Sequence, residues 1–260
     1  MLLECCIKAC KQMSYILNDL INKAKNIVVF TGAGISTESG IPDFRSPGGI
    51  WTKMKPIMFQ DFISSEKWQL ESWRRKFEID KDINIAKPNI GHKVIAKLFD
   101  KNKVSYVITQ NIDNLHKVSG INKNNIVELH GNSTYAKCLN CNTRYELNYI
   151  KDYLEDENNN YTNVPKCIVC NGIIKSATIS FGQPMPEKEM KIAEKASLEC
   201  DLFIVIGSSL KVYPAANLPI IARKNGAKLV IINREHTELD SIAHLVINEE
   251  IGKTLSKIKF

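Results

Sequence analysis

The sequence lacks the features that mark membrane, secreted and strongly nucleic-acid-binding proteins. None of its apolar runs approaches the roughly 20 residues of a transmembrane helix. The first residues carry Glu4, Lys8 and Lys11 among apolar ones, and no small-residue cleavage site follows, so we expect an amphipathic helix rather than a signal peptide. The formal charge of +7 is spread over scattered lysines, which favours a solvated basic surface. We therefore expect a cytoplasmic protein without membrane contact.

Length and cysteine content predict one main domain in a reducing compartment. The 260 residues suit a main domain that carries a smaller insertion, and a hydrophobic content of 44% is ample for a core. Eight cysteines in a chain of this size without a secretion signal do not indicate a disulfide scaffold. Four of them form the paired pattern described below. The others, Cys5, Cys6, Cys10 and Cys200, are interpreted as buried small hydrophobes or inert thiols.

Strand-length apolar runs alternate with segments of helical period, which predicts an α/β doubly wound, Rossmann-like parallel sheet. The runs are apolar throughout, as expected for strands covered on both faces. The predicted strands are 26–30, 104–109, 125–129, 202–207, 228–233 and 244–248. The predicted helices are 8–25, 61–78, 89–101, 187–199 and 214–225.

Two segments interrupt this alternation and are predicted insertions. Residues 44–88 contain no convincing strand and form a helical insertion, and residues 134–180 form a second module that contains four cysteines. Within the second, the polar segment 155–163 is predicted to be a mobile loop. The main domain is assigned to the remaining ranges, 1–43, 89–133 and 181–260.

The turn after the first predicted strand begins like a dinucleotide-binding turn and then departs from it. Gly32-Ala33-Gly34 matches the start of G-x-G-x-x-G, but Thr37 replaces the third glycine. A polar, proline-bearing run then ends in Asp43-Phe44-Arg45, where a plain nucleotide fold would continue as a helix. The pattern predicts a phosphate-binding turn with an additional role.

Polar residues also follow other predicted strands, where ligands of open α/β sheets bind. Gln110, Asn111 and Asp113 follow strand 104–109, and His130 ends strand 125–129. Local loop hydrogen bonding explains such residues equally well, and a single histidine is often structural. A histidine exposed at a strand end is nevertheless a candidate general base. The segments "GSSLKVYP" (207–214) and "INRE" (232–235) add small residues and an asparagine to the same edge.

Two Cys-x-x-Cys pairs give the most specific metal signal. Cys138, Cys141, Cys167 and Cys170 suit tetrahedral zinc, and four thiolates leave no open coordination position. The predicted role of the zinc is therefore structural. A nucleic-acid-binding zinc ribbon and a redox dithiol are the alternatives for this motif alone.

Taken together, these motifs resemble the sirtuin family of NAD-dependent protein deacylases. The resemblance covers the chain from about residue 14 and includes, in family order, "GAGISTESGIPDFRSPGGIW", "TQNIDNLH", "ELHGN", the paired cysteines, "SFGQPMP", "GSSLKVYP" and "INRE". It implies that NAD is consumed as co-substrate, that 44–88 contains a cofactor loop, and that the main domain binds NAD. The implied NAD-contacting residues are Gly32, Ala33, Gly34, Ser36, Thr37, Asp43, Phe44, Arg45, Gln110, Asn111, Ile112, Asp113, Gly207, Ser208, Ser209, Asn233, Arg234, Glu235 and Ile251.

The resemblance also implies a mechanism. The acyl oxygen of a modified lysine attacks the anomeric carbon as nicotinamide leaves, which gives an O-alkyl-amidate. His130 then acts as general base toward a ribose hydroxyl that attacks the imidate carbon, and Asn111 assists. Water completes the reaction, so the products are free lysine, nicotinamide and O-acyl-ADP-ribose. The implied substrate contacts are Phe181, Gly182 and Val212. Acylated-lysine proteins or peptides are thus the expected partners, and nucleic acid is not expected as a direct ligand.

The sequence departs from the family pattern at positions that bear on the choice of substrate. Gln183 stands where many members carry Glu, and 174–179 lacks a common proline. Glu71 and Arg74 occupy the aligned positions where members that remove acidic acyl groups place Tyr and Arg, so we expect acetyl or longer neutral acyl groups. The alternatives from other classes are ADP-ribosyl transfer from the same site and a non-enzymatic regulator that holds nucleic acid with its zinc module.

Overall fold

The main sheet of the protein has six parallel strands in Rossmann order. The computed structural model describes residues 2–154 and 162–260, with side chains of the first helix described from Gln12 onward. The strands are β1 (Ile27–Thr31), β2 (Val104–Thr109), β3 (Ile126–Glu128), β7 (Leu202–Ile206), β8 (Lys228–Ile232) and β9 (Leu245–Ile247). Each predicted strand is confirmed to within one residue at either end. Their order in the sheet is β3-β2-β1-β7-β8-β9.

Helices cover both faces of this sheet. Along β1, Ile27 and Val29 join one core cluster, whereas Val28 and Phe30 join the other. All four side chains are buried, which explains an apolar run without alternation. The helices are α1 (Leu2–Lys23), α2 (Ile50–Lys53), α3 (Phe59–Ser64), α4 (Glu66–Ile85), α5 (Ile90–Asp100), α6 (Leu115–Val118), α7 (Leu147–Leu154), α8 (Glu187–Glu199), α9 (Leu218–Lys224) and α10 (Ile251–Leu255).

Several helix predictions need correction. The range 61–78 is two helices, α3 and α4, because Ser65 adopts an extended conformation between them. The range 214–225 begins with a 3₁₀ turn, Ala215–Asn217, before α9. The first helix begins earlier than predicted and ends at Lys23. Within the described residues, no helix is long and apolar enough to cross a membrane.

A smaller unit contains the four paired cysteines. Its antiparallel sheet has the order β5-β4-β6, with β4 (Gly131–Cys138), β5 (Arg144–Glu146) and β6 (Ile174–Thr178). The alternation pattern predicts none of these strands, because they are short or polar. Trp73 of α4 packs into the same core cluster as Ile150 and Leu154 of α7. Most of the predicted mobile loop 155–163 lies outside the described residues.

Three glycines allow the turns after β1 and β7 to touch. Gly207 has a φ of +64°, and a Cβ there would lie 2.4 Å from the backbone nitrogen of Ile35. A Cβ on Gly34 would lie 2.8 Å from Gly207 Cα, and one on Gly32 would lie 2.7 Å from Gly207 O. Instead, the Gly34 N–H donates to the Gly207 carbonyl at 2.8 Å. A side chain at any of these positions would separate the two turns.

We predict that Gly207→Ala destabilises the protein more than Gly226→Ala does. Both glycines have positive φ, but a Cβ on Gly226 meets no atom within 4 Å. Gly226→Ala should therefore lower the free energy of unfolding by only the backbone term, about 1–2 kcal/mol. Gly207→Ala adds a backbone clash and should cost at least ~2 kcal/mol more. Urea unfolding of both variants measures the difference, and equal losses would contradict the contact.

Candidate active site

A cavity of about 720 Å³ opens at the carboxyl ends of β1, β2, β7 and β8. Almost every candidate cofactor, catalytic and substrate residue lines it. The lining members of that set are Gly32, Ala33, Gly34, Thr37, Asp43, Phe44, Arg45, Gln110, Asn111, Ile112, His130, Phe181, Gly182, Gly207, Ser208, Ser209, Val212, Asn233, Arg234, Glu235 and Ile251. Ser36 and Asp113 are buried behind the wall and do not line it.

The cavity wall also includes residues that the motifs did not single out. Apolar ones are Trp51, Pro56, Ile57, Met185, Tyr213 and Pro214, and acidic ones are Glu38, Glu249 and Glu250. Trp51 and Tyr213 lie inside the family motifs, which could have identified them. Glu249 and Glu250 follow β9, so their position after a strand could have identified them as cavity residues. Nothing in the local sequence marked Pro56 or Ile57.

His130 is a neutral, half-buried imidazole with one free nitrogen. Its Nδ1 lies 3.1 Å from the Gln110 carbonyl, which can only accept, so Nδ1 carries the proton. Nε2 is then unprotonated and able to take a proton. Burial lowers the pKa of His130, and Arg45 lowers it further, although the bond to Gln110 opposes both. The ring is therefore a base at neutral pH.

A chain of hydrogen bonds fixes the orientation of Asn111. Ser36 Oγ donates to the Asp113 carboxylate at 2.6 Å, so its oxygen accepts from Asn111 Nδ2 at 3.2 Å. The second Nδ2 proton goes to the Gly32 carbonyl at 3.1 Å. Both amide donors are used inside the protein, which leaves the Oδ1 acceptor of Asn111 as the polar atom available to the cavity.

Asp113 is buried, and the desolvation raises its pKa. Bonds from Ser36 Oγ and from the Leu115 backbone N–H, at 2.9 Å, favour its ionised form and oppose that rise. The carboxylate thus does not line the cavity. It orients Asn111, which does, through the Ser36 hydroxyl.

The segment from Asp43 to Trp51 forms an ordered loop over one side of the cavity. The Asp43 carboxylate accepts from the backbone N–H groups of Arg45 and Ser46. The Trp51 ring lies 5.3 Å from Phe44 and 5.3 Å from Phe181, and the Arg45 guanidinium lies 4.4 Å above it. These aromatic and cation–π contacts join the loop to the segment that follows β6.

The opposite end of the cavity is built by the turns after β7 and β8. Gln110 Nε2 donates to Ser208 Oγ at 3.2 Å, which ties the β2 turn to the β7 turn. Asn233 Nδ2 donates to the Glu235 carbonyl at 2.7 Å, and the Asn233 carbonyl accepts from Asn248. Gly207, Ser208 and Ser209 bring backbone groups and small side chains to this end, and Arg234 and Glu235 add charged ones.

The candidate acyl-selecting arginine is engaged elsewhere. Arg74 donates to both Glu71 carboxylate oxygens, at 2.7 and 2.9 Å, and Arg75 bonds the same carboxylate. The bond from Arg74, with that from Arg75, lowers the pKa of Glu71 to about 2. None of these three residues lines the cavity.

The four paired cysteines form a separate cluster that suits zinc. Their sulfur atoms all lie within 4.8 Å of one another. The Cys138 and Cys170 sulfurs are 3.5 Å apart, as are those of Cys141 and Cys167. Zinc with bonds of about 2.3 Å requires tetrahedral sulfurs roughly 3.8 Å apart. Asn142 and Asn171, each directly after the second cysteine of its pair, adopt matching left-handed conformations. The cysteines do not line the cavity, so the metal stands apart from the chemistry.

The Sir2 family model matches residues 32–214, which include the Gly32 turn, His130 and the four cysteines. The chain belongs to the Sir2 family. A Bradyrhizobium diazoefficiens protein named NAD-dependent protein deacetylase 1 is 54% identical over 92% of both chains. An Archaeoglobus fulgidus protein named NAD-dependent protein deacylase 2 is 40% identical over 92% of both. A solved Sir2–p53 peptide–NAD⁺ structure aligns with a TM-score of 0.83 and 38% identity, covering 94% of this chain and 96% of the other.

Removal of one cysteine should lower zinc content and stability together. We predict that wild-type protein contains one zinc per chain, and that Cys138→Ala loses both the metal and several kcal/mol of folding free energy, because metal binding is coupled to folding. Cys200→Ala is the control, since Cys200 is buried outside the cluster. Metal analysis beside thermal unfolding measures both effects. Zinc-free wild-type protein, or full stability after chelation, would contradict the assignment.

Proposed function

We propose that this Sir2 family protein is an NAD-dependent protein lysine deacylase that forms O-acyl-ADP-ribose and releases nicotinamide. The observation that carries the proposal is a neutral His130, with a free Nε2, in the same cavity as the Gly32 turn and Asn111. The names of the relatives support it, as do solved Sir2 structures with NAD⁺, a p53 peptide and 3′-O-acetyl ADP ribose. The cytoplasmic location and the domain boundaries stay predictions from the sequence.

NAD supplies an activated ADP-ribosyl group with nicotinamide as its leaving group. The Gly32–Gly34 turn would let its phosphates approach the backbone closely, because no large side chain obstructs the turn. The N–H groups of Gly32 and Gly34 are already bonded to the Ile206 and Gly207 carbonyls. Gly207, Ser208, Ser209, Asn233 and Glu235 would hold the adenosine half. Phe44, Arg45 and Asp43 belong to the loop that would cover the reacting ribose and exclude water.

Two side chains are proposed to act at the reacting atoms. His130 Nε2 would take the proton of a ribose hydroxyl as that oxygen attacks the acyl carbon. Asn111 Oδ1 would accept a hydrogen bond from the ribose or from the departing carboxamide, because its two N–H donors are already used. Asp113 and Ser36 would keep that acceptor facing the cavity.

The proposed acyl class is acetyl or a longer neutral group. Apolar side chains line the cavity, including Ile57, Met185 and Trp51, and the Trp51 ring contacts Phe181. Arg74 is bonded to Glu71, so it is not offered to an acidic acyl chain. The peptide would pair with the segments that carry Phe181–Gly182 and Val212 through backbone hydrogen bonds, as in strand addition.

Incubation of the protein with NAD and an acetyl-lysine peptide tests this function. We expect O-acetyl-ADP-ribose and free lysine by mass spectrometry, with a propionyl-lysine peptide also processed. ADP-ribosylated protein instead of acyl-ADP-ribose would favour the transferase alternative. No NAD consumption at all would favour the binding-protein alternative.

Replacing His130 should remove turnover while leaving NAD binding nearly intact. We predict that His130→Ala lowers kcat by about 10²-fold or more, the usual contribution of a general base. Because the pKa of His130 in the free protein lies below the ordinary histidine value of about 6.5, wild-type kcat/KM should fall with decreasing pH only below that value. His236→Ala is the control, since His236 is exposed outside the cavity. Near wild-type turnover in His130→Ala would refute the role.

Free nicotinamide should inhibit without simply competing with NAD. It can re-enter the pocket beside Asn111 and reverse the cleavage, so labelled nicotinamide should enter NAD when peptide is present. Asp113→Asn should lower this exchange by roughly 10-fold, because Asn111 would lose the orientation that Asp113 imposes through Ser36. The carboxamide of nicotinamide would then lack a hydrogen-bond partner, at a cost of about 1–3 kcal/mol. Asp19→Asn, on the exposed face of α1, is the control. Unchanged exchange in Asp113→Asn would remove Asp113 from this role.

A further inference from the structure

Two buried histidines lie beneath the turns that build the cavity, and the proposed chemistry does not use them. His92 on α5 and His116 on α6 are fully buried or nearly so, and their ring centroids are 5.0 Å apart. Burial lowers the pKa of both rings, to about 4 for His92, so both are neutral at pH 7. Because the two rings carry no charge, hydrogen bonds and packing determine their orientation.

The bonds of His116 lead to the backbone of Asn111. Thr31 and Thr109 are register partners at the ends of β1 and β2, and Thr31 Oγ1 donates to Thr109 Oγ1 at 2.8 Å. Thr31 has then used its only proton, so its contact of 2.9 Å with His116 Nε2 requires Nε2 to be the donor. Thr109 Oγ1 in turn accepts from the Asn111 backbone N–H at 3.0 Å.

The bonds of His92 lead to the turn on the other side. Asn89 Oδ1 accepts from the Gly91 backbone N–H at 2.8 Å, which fixes the amide orientation. The same oxygen lies 3.1 Å from His92 Nδ1, so Nδ1 is the protonated nitrogen of this ring. Asn89 Nδ2 donates to the Ile35 carbonyl and to Ser39 Oγ, within the 3₁₀ turn that follows Gly32.

Each ring is therefore left with one buried acceptor. His92 Nε2 and His116 Nδ1 have no hydrogen-bond partner among protein atoms of the described chain. Two acceptors cannot bond to each other, so the rings do not form a proton relay.

We infer that His116, supported by His92, is a positioning residue that holds the ends of β1 and β2 together and thereby sets the place of Asn111 in the cavity. His116 itself does not reach the cavity. Gly32 follows Thr31 directly, and Asn111 follows Thr109 by two residues and bonds its hydroxyl, so a shift between Thr31 and Thr109 moves both. This inference rests on the proposed NAD-dependent reaction for its kinetic test only.

The first test is the protonation pattern of the rings, which needs no activity. Long-range ¹⁵N–¹H NMR of the full chain should find the Nε2–H form for His116 and the Nδ1–H form for His92. An Nδ1–H form for His116 would mean that Thr109 and Thr31 donate toward the ring, which would overturn the inference.

The second test compares two replacements of His116. Gln can place an amide N–H near the position of Nε2, whereas Leu cannot. We expect His116→Leu to lower kcat by about 10-fold or more with little change in KM for the peptide, and His116→Gln to retain most of the activity. The double variant His116→Leu/Thr31→Val should lose no more kcat than the single variants do, because both substitutions act through the Thr31 hydroxyl. His236→Leu should match wild type.

Stability measurements separate positioning from folding. Equal losses of kcat in His116→Gln and His116→Leu, or wild-type kcat in a folded His116→Leu, would overturn the inference. If His116→Leu does not fold, Thr31→Val, which preserves shape, carries the kinetic test, and wild-type kcat there would overturn it. An inactive wild-type protein would refute the proposed function, while the NMR pattern would still decide the geometry.

Discussion

The backbone contact between the turns after β1 and β7 is the constraint on which the rest of the site depends. Gly34 and Gly207 approach so closely that no side chain fits between them. This contact closes the switch point of the sheet, which lies between β1 and β7. From there the strands run in the order β2, β3 on one side and β8, β9 on the other. The turns after β2 and β8 then converge on it, so polar residues distant in sequence share one cavity.

Hydrogen-bond direction, rather than proximity alone, gives the site its chemistry. A carboxylate that can only accept fixes the Ser36 hydroxyl, and the hydroxyl fixes the Asn111 amide. A carbonyl that can only accept fixes the tautomer of His130. The cavity thus presents an acceptor oxygen, which can orient a hydroxyl, and an unprotonated nitrogen, which can take its proton.

The cysteine cluster and the helical segment form a second unit with another task. Trp73 packs with the core that also contains Cys138 and Cys167, so the cluster and α4 share one small apolar centre. A unit of this size has little core of its own, and a metal held by four thiolates would supply the missing stability. This separation leaves β4 and β6 free to position His130 and the Thr178–Gly182 segment at the cavity.

The fold, the metal cluster and most of the cavity wall could be predicted from the sequence. Buried parallel strands are continuous apolar runs, and Cys-x-x-Cys pairs are local patterns, so β1 and Cys138 could be recognised without coordinates. The family motifs likewise located His130 and Asn111. Tertiary structure alone decided that Asp113 and Ser36 stand behind the wall, that Arg74 is bonded to Glu71, and that His116 supports Thr31. These facts depend on which side chains meet across strands and helices, and local sequence does not specify such contacts.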